Sequence, residues 1–179
     1  MWFRTQRMKG LLSVLLLAVT LDGNAETYGF GRAPTGEELA EAEVDVRFDG
    51  VGLPPGQGNA LAGAKIYMSR CATCHGAQLE GNSKLYIQPI KGERRHAINN
   101  QPFAPPIFAY IRRAMPLTAP GSLSNDEVYS VLAYLLREVG ILAGDNPVLD
   151  AQQTRQVEMP NRPNFVPAKN SGVTLPGGS

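Results

Sequence analysis

Five consecutive residues constrain this chain more than any other feature: Cys71-Ala72-Thr73-Cys74-His75, the pattern Cys-X-X-Cys-His. The run contains both cysteines of the chain. Two sulfurs one turn apart at a helix end can form thioethers with the two vinyl groups of one porphyrin. The next residue then lies under the iron, where an imidazole nitrogen supplies the proximal ligand. Drawn at random from ordinary composition, such a run would occur in a chain of this length on the order of once in a thousand. A redox-active disulfide of the thioredoxin type would want an alternating strand before the motif, whereas the residues there read as helix. Half of a zinc site would want a second cysteine pair, which the chain lacks. The motif therefore predicts one covalently attached haem c, with Cys71 and Cys74 as attachment points and His75 on the iron.

The amino terminus reads as an export leader. Arg4, Arg7 and Lys9 precede an uncharged apolar run from Leu11 to Leu21, too short to span a bilayer comfortably. Gly23 and Ala25 then place small residues three and one positions before a cut ahead of Glu26. Residues 1–25 are expected to be removed, leaving a periplasmic chain with no membrane span. The full sequence carries a formal charge of +1; loss of three basic residues and Asp22 takes it to −1. That balance gives no basic excess to attract nucleic acid.

Helical periodicity surrounds the motif. From Asn59 to Cys71, Leu61, Ala64, Ile66, Tyr67 and Met68 give an apolar side, with Gly63 on the same stretch. A second helix is marked by Ser124 as cap, Glu127 completing a capping box, then Val128, Val131, Leu132, Leu135 and Val139, with Gly140 as its stop. A shorter helix is expected from Pro105 or Pro106 to Arg113, with Ile107, Phe108 and Ile111 on one face. These elements define an all-α unit over residues 58–143, small enough to need a haem at its centre. Residues 26–57, rich in Gly, Pro and acidic residues, are expected as an extended arm, and residues 144–179 as an extended tail.

A second side chain on the iron separates electron transfer from small-molecule chemistry. Beyond the leader the candidates are Met68, Met115, Met159 and His96. Met68 lies three residues before Cys71 on the attachment helix and would have trouble reaching the far face of the haem. His96 follows Lys91, Glu93, Arg94 and Arg95 in a charged loop and reads as solvated. Met115 is followed by Pro116 in a loop between two helices that can cross the distal face, and it is the expected sixth ligand. Met159, also followed by proline, is the reserve candidate, and core packing is the competing role for either methionine. Histidine with methionine favours ferrous iron and suits an electron carrier; with the sixth position open, the chain would instead be a haem enzyme or gas sensor. Arg112 and Arg113, beside Met115, and Arg94 and Arg95 upstream are candidates for pairing with haem propionates or an acidic partner.

Gly63 and Tyr67 before the motif, Met115-Pro116 after it and Tyr134 in the closing helix together resemble the class I cytochromes c. That resemblance implies three to five helices around one covalently bound haem. A closer resemblance extends into both flanks, to the SoxD-like sulfane dehydrogenase subunit and the cytochrome subunit of bacterial sulfite dehydrogenase. It rests on Tyr28-Gly29-Phe30-Gly31-Arg32, Asp45-Val46-Arg47 with Gly52-Leu53-Pro54-Pro55-Gly56, and Tyr110-Ile111-Arg112-Arg113-Ala114-Met115-Pro116. Ala119-Pro120-Gly121-Ser122-Leu123 and Met159-Pro160-Asn161-Arg162 complete it. The resemblance implies a molybdenum-containing catalytic subunit that oxidises sulfite or sulfane sulfur, docking flanks, and a downstream periplasmic cytochrome as acceptor. SoxD-type chains can carry a second haem domain; the single motif here departs from that and favours the one-haem sulfite dehydrogenase type. The chain alone is expected to have no catalytic activity, and a free-standing electron shuttle is the alternative.

Overall fold

The most deeply buried element is the helix with the clearest start signal. Ser124 accepts a hydrogen bond from the Glu127 N–H while the Glu127 carboxylate accepts from the Ser124 N–H, the reciprocal pair that halts fraying at a helix N-terminus. In the computed structural model, which describes residues 31–36, 38, 46–92 and 97–166, this helix runs from Asn125–Glu138. Every residue from Val128 to Leu136 in it is buried.

Five α-helices and one short sheet occur in chain order among the described residues from Gln57 onward. Strand β1 (Gln57–Asn59) leads directly into α1 (Ala60–Arg70), and α2 (Ala72–His75) follows after one residue. Next come α3 (Pro105–Ala114) and α4 (Asn125–Glu138), then β2 (Val148–Asp150) and α5 (Ala151–Gln156). Short 3-10 turns lie at Ser83–Leu85, Ile98–Asn100 and Arg162–Asn164. The helical class expected from the periodicity is present, with little sheet.

Helix α1 buries a different face from the one its large apolar residues suggest. Leu61 and Met68 are more than half exposed, and the buried positions are Ala60, Gly63 and Tyr67. The reason is the crossing with α4: a Cβ on Gly63 would lie 1.9 Å from the Ser130 carbonyl oxygen. Small residues let the two backbones touch, and a larger side chain at Gly63 would hold them apart. Tyr67 then packs on Tyr134, ring centroids 5.2 Å apart. Helix α3 closes another side of α4 through Phe108 and Tyr129, whose centroids are 4.4 Å apart.

Residues 144–166, expected as part of an extended tail, are folded onto this core. Strand β2 pairs antiparallel with β1, Gln57 opposite Asp150 and Asn59 opposite Val148. Asp150 then caps α5 in a second capping box with Gln153. Leu149, Thr154, Val157 and Met159 are all buried, the apolar ones within the core cluster that contains α4. The upstream stretch behaves alike: Val46 and Leu53 are buried, the Tyr129 hydroxyl donates to the Pro54 carbonyl at 2.7 Å, and Asp126 accepts from the Gln57 N–H at 2.9 Å. Phe48 and Phe165 flank Phe103 at 5.2 and 5.1 Å. Neither segment has a core of its own; both borrow one face of α4, which is why that helix has so little exposed surface.

The chain divides into two units, Met1–Leu39 and Ala40–Ser179. In the first, Arg32 pairs with Glu38, which also accepts from the Thr35 N–H and is drawn down to about 2 by these partners. The expected leader and residues 26–30, 37 and 39–45 of the expected N-terminal arm lie outside the described residues, as do Arg94, Arg95 and His96. Among the described residues no helix is long and apolar enough to cross a membrane.

Candidate functional site

The motif sits where α1 gives way to α2. Cys71 ends α1, its N–H donating to the Tyr67 carbonyl at 2.8 Å, and the same residue opens α2. The N–H groups of Cys74 and His75 both donate to the Cys71 carbonyl, at 3.1 and 2.9 Å. Cys71, Cys74 and His75 are thus brought together in one tight turn, as their spacing predicted. Gly76 stops the helix at φ 80 and ψ 150, a conformation open to glycine and strained for other residues. A Cβ there would also meet the Glu80 carboxylate at 2.2 Å.

The sulfurs and the imidazole fit a haem attached through this turn. Both cysteines are free thiols and half-buried, although three residues apart in sequence. Burial pushes the Cys71 thiol up, Arg70 opposing and Cys74 adding to the rise. The His75 ring is half-buried, its Nδ1 is enclosed with no hydrogen-bond partner, and burial lowers its pKa. A neutral imidazole is the form that ligates a metal. Among the described residues no three His, Cys, Asp or Glu side chains converge as a metal-ion cluster would. Two thiols and one imidazole in a single turn are the donor set by which a c-type haem is attached and ligated.

The methionines separate sharply. Met115 caps the end of α3, its N–H donating to the Ile111 carbonyl at 3.0 Å, and is half-buried beside the core. Its peptide bond to Pro116 is cis. Met159 is 2% exposed and packed within the core cluster. Met68 is 53% exposed on α1. Arg112 and Arg113 occupy the last turn of α3, where positive charge complements the helix C-terminus.

Two features of the site were not legible in the motif. The Tyr67 hydroxyl donates to the Gly76 carbonyl at 2.7 Å, and the Gly81 N–H donates to the His75 carbonyl at 2.8 Å. The residues themselves were visible, a tyrosine four before the first cysteine and a glycine directly after the histidine, but their pairing requires the turn between them.

Comparison with known proteins agrees with this geometry. Residues 58–135 match the family described as Cytochrome C oxidase, cbb3-type, subunit III. A chain of the crystal structure of the sulfane dehydrogenase SoxCD from Paracoccus pantotrophus superposes with a TM-score of 0.67 and 31% identity. That match covers 78% of this chain and 72% of the other. The thiosulfate dehydrogenase of Stutzerimonas stutzeri is 31% identical over 58% of this chain and 34% of its own length. The thiosulfate dehydrogenase of Allochromatium vinosum is 32% identical over 44% of this chain and 31% of its own. The chain thus spans about a third of the length of these curated relatives.

Proposed function

The chain belongs to the class I c-type cytochromes related to the SoxD-like subunits, and on that premise we propose that it carries single electrons in the periplasmic oxidation of a reduced sulfur compound. One observation carries the reading: two free thiols stand in a single helical turn that ends on a half-buried histidine whose Nδ1 is enclosed without a hydrogen-bond partner. Cys71 and Cys74 would hold one haem by thioethers, with His75 and Met115 as axial ligands. When bound, haem supplies an iron centre that changes oxidation state by one electron, and a histidine–methionine pair raises its potential. The chain's own contribution would be to fix His75 from a hydrogen-bonded turn and to offer Met115 from the end of α3.

The partner in this reading is a molybdenum-containing sulfite or sulfane dehydrogenase subunit, and the likeness to a chain of SoxCD supports it. Oxidation of sulfite to sulfate releases two electrons, so this chain would accept and hand on one electron twice per turnover, to a further periplasmic cytochrome. The relatives named thiosulfate dehydrogenase favour a second reading, in which thiosulfate is the electron source.

The test is expression with its own leader in a host that matures c-type cytochromes. One covalently bound haem per chain is expected on a denaturing gel, in the periplasmic fraction. Purification from the native host should retain a molybdenum-containing protein, and sulfite should reduce the complex. Reduction by thiosulfate alone would select the second reading, and elution without any companion would make the chain a free shuttle.

A further inference from the structure

Tyr67 holds the motif turn at both ends. Its backbone carbonyl accepts the Cys71 N–H at 2.8 Å, where the turn begins, and its hydroxyl donates to the Gly76 carbonyl at 2.7 Å, directly after His75. Packing alone does not call for that hydroxyl. The ring is 1% exposed and rests on Tyr134, a place phenylalanine would fill equally well. A buried hydroxyl without a partner is costly, so its use here lies in the bond it makes.

The carbonyl it reaches has little else to hold it. Among the described residues, the other recorded donor to Gly76 O is the Leu79 N–H at a long 3.4 Å. Gly76 itself, at φ 80 and ψ 150, imposes no preference of its own on the exit from the turn. The peptide before it is tied by the Gly76 N–H to Ala72 O and by His75 O to the Gly81 N–H, both at 2.8 Å. The peptide after it is tied by Tyr67. The peptides on both sides of Gly76 are thus hydrogen-bonded, directly after His75.

We infer that Tyr67 is a positioning residue for His75, its hydroxyl bond to the Gly76 carbonyl fixing the angle at which the imidazole faces its ligand. The inference rests on the haem reading above. Its action is transmitted through the backbone, by way of the Gly76 carbonyl. Burial pushes the Tyr67 phenol far above its ordinary range, so it stays a donor throughout the working pH range.

The experiment compares holoprotein carrying Tyr67→Phe with a Tyr134→Phe control, which alters the same ring pair without touching Gly76. Amide hydrogen exchange should accelerate about fivefold at Leu79 and Gly81, the size expected for one hydrogen bond, while Val131 to Leu135 in α4 keep their rates. The midpoint potential and the low-temperature electron paramagnetic resonance of the oxidised protein should shift in Tyr67→Phe and stay put in Tyr134→Phe. Equal acceleration in α4 would mean a packing role and overturn the inference. So would faster exchange at Gly81 with unchanged potential and resonance. Haem content of the unsubstituted protein, measured first, isolates the parent reading: absence of attached haem sinks that reading, whereas an unmoved resonance with haem present sinks only this one.

Discussion

The two sides that would bracket a haem are built differently. On the histidine side, residues 71–81 are held by successive backbone bonds and by Tyr67 from within the core. On the methionine side, the stretch after Met115 has recorded backbone bonds from Ala119 to Pro116 and from Ser122 to Ala119, and Leu117 in it is 78% exposed. If Cys71 and Cys74 attach haem, the bonded turn holds both sulfurs and the imidazole in one register. If Met115 is the sixth ligand, it approaches from the end of α3.

The largest expected effect breaks the histidine side chemically. Replacing Cys71 and Cys74 together by alanine should abolish covalent haem completely, read by haem staining after denaturing electrophoresis, whereas Met115→Ala should keep the full stain. Retained stain in the double variant would remove the attachment assignment altogether. Next comes Met159→Ala, which empties a fully enclosed site and should cost about 3 kcal/mol of unfolding free energy. Axial-ligand absorption should not change in that variant. Gly63→Ala should follow, at about 2 kcal/mol from overpacking at the α1–α4 crossing. Thermal unfolding measures both, and a neutral Gly63→Ala would show that the crossing can open without cost.

How far this was legible in the sequence depended on the range of the interaction. Ser124 and Glu127 lie three residues apart and signal a helix start by themselves; Pro105, Cys71, Cys74 and His75 are similarly local, and the structure places them as their spacing predicts. Gly63 was visible as a residue, but its contact with Ser130 joins positions far apart in the chain. The apolar side read for α1 therefore included Leu61 and Met68, which face outward, together with Tyr67, which is buried, and left out Ala60, which faces the core. The β1–β2 pairing and the burial of Leu149, Val157 and Met159 escaped for the same reason. A segment poor in hydrophobic periodicity reads as a tail unless the surface that receives it is known.

Met115→Ala sharpens the contrast between the two sides because its effects on stability and on spectrum diverge. Met115 is half-buried at a helix end, so truncation removes little enclosed surface and should lower stability by less than about 1 kcal/mol. If its sulfur is the sixth ligand, the weak long-wavelength band of methionine-ligated ferric haem should vanish. The midpoint potential should fall with the loss of the thioether, and the reduced protein should bind carbon monoxide. Met159→Ala should show the reverse: a large stability loss, the band intact, and no carbon monoxide bound. Should the Met115 variant keep its band, the end of α3 supplies no ligand. Should both variants keep it, the sixth position is not held by either methionine, and the open-site chemistry of a haem enzyme or gas sensor becomes the reading to pursue.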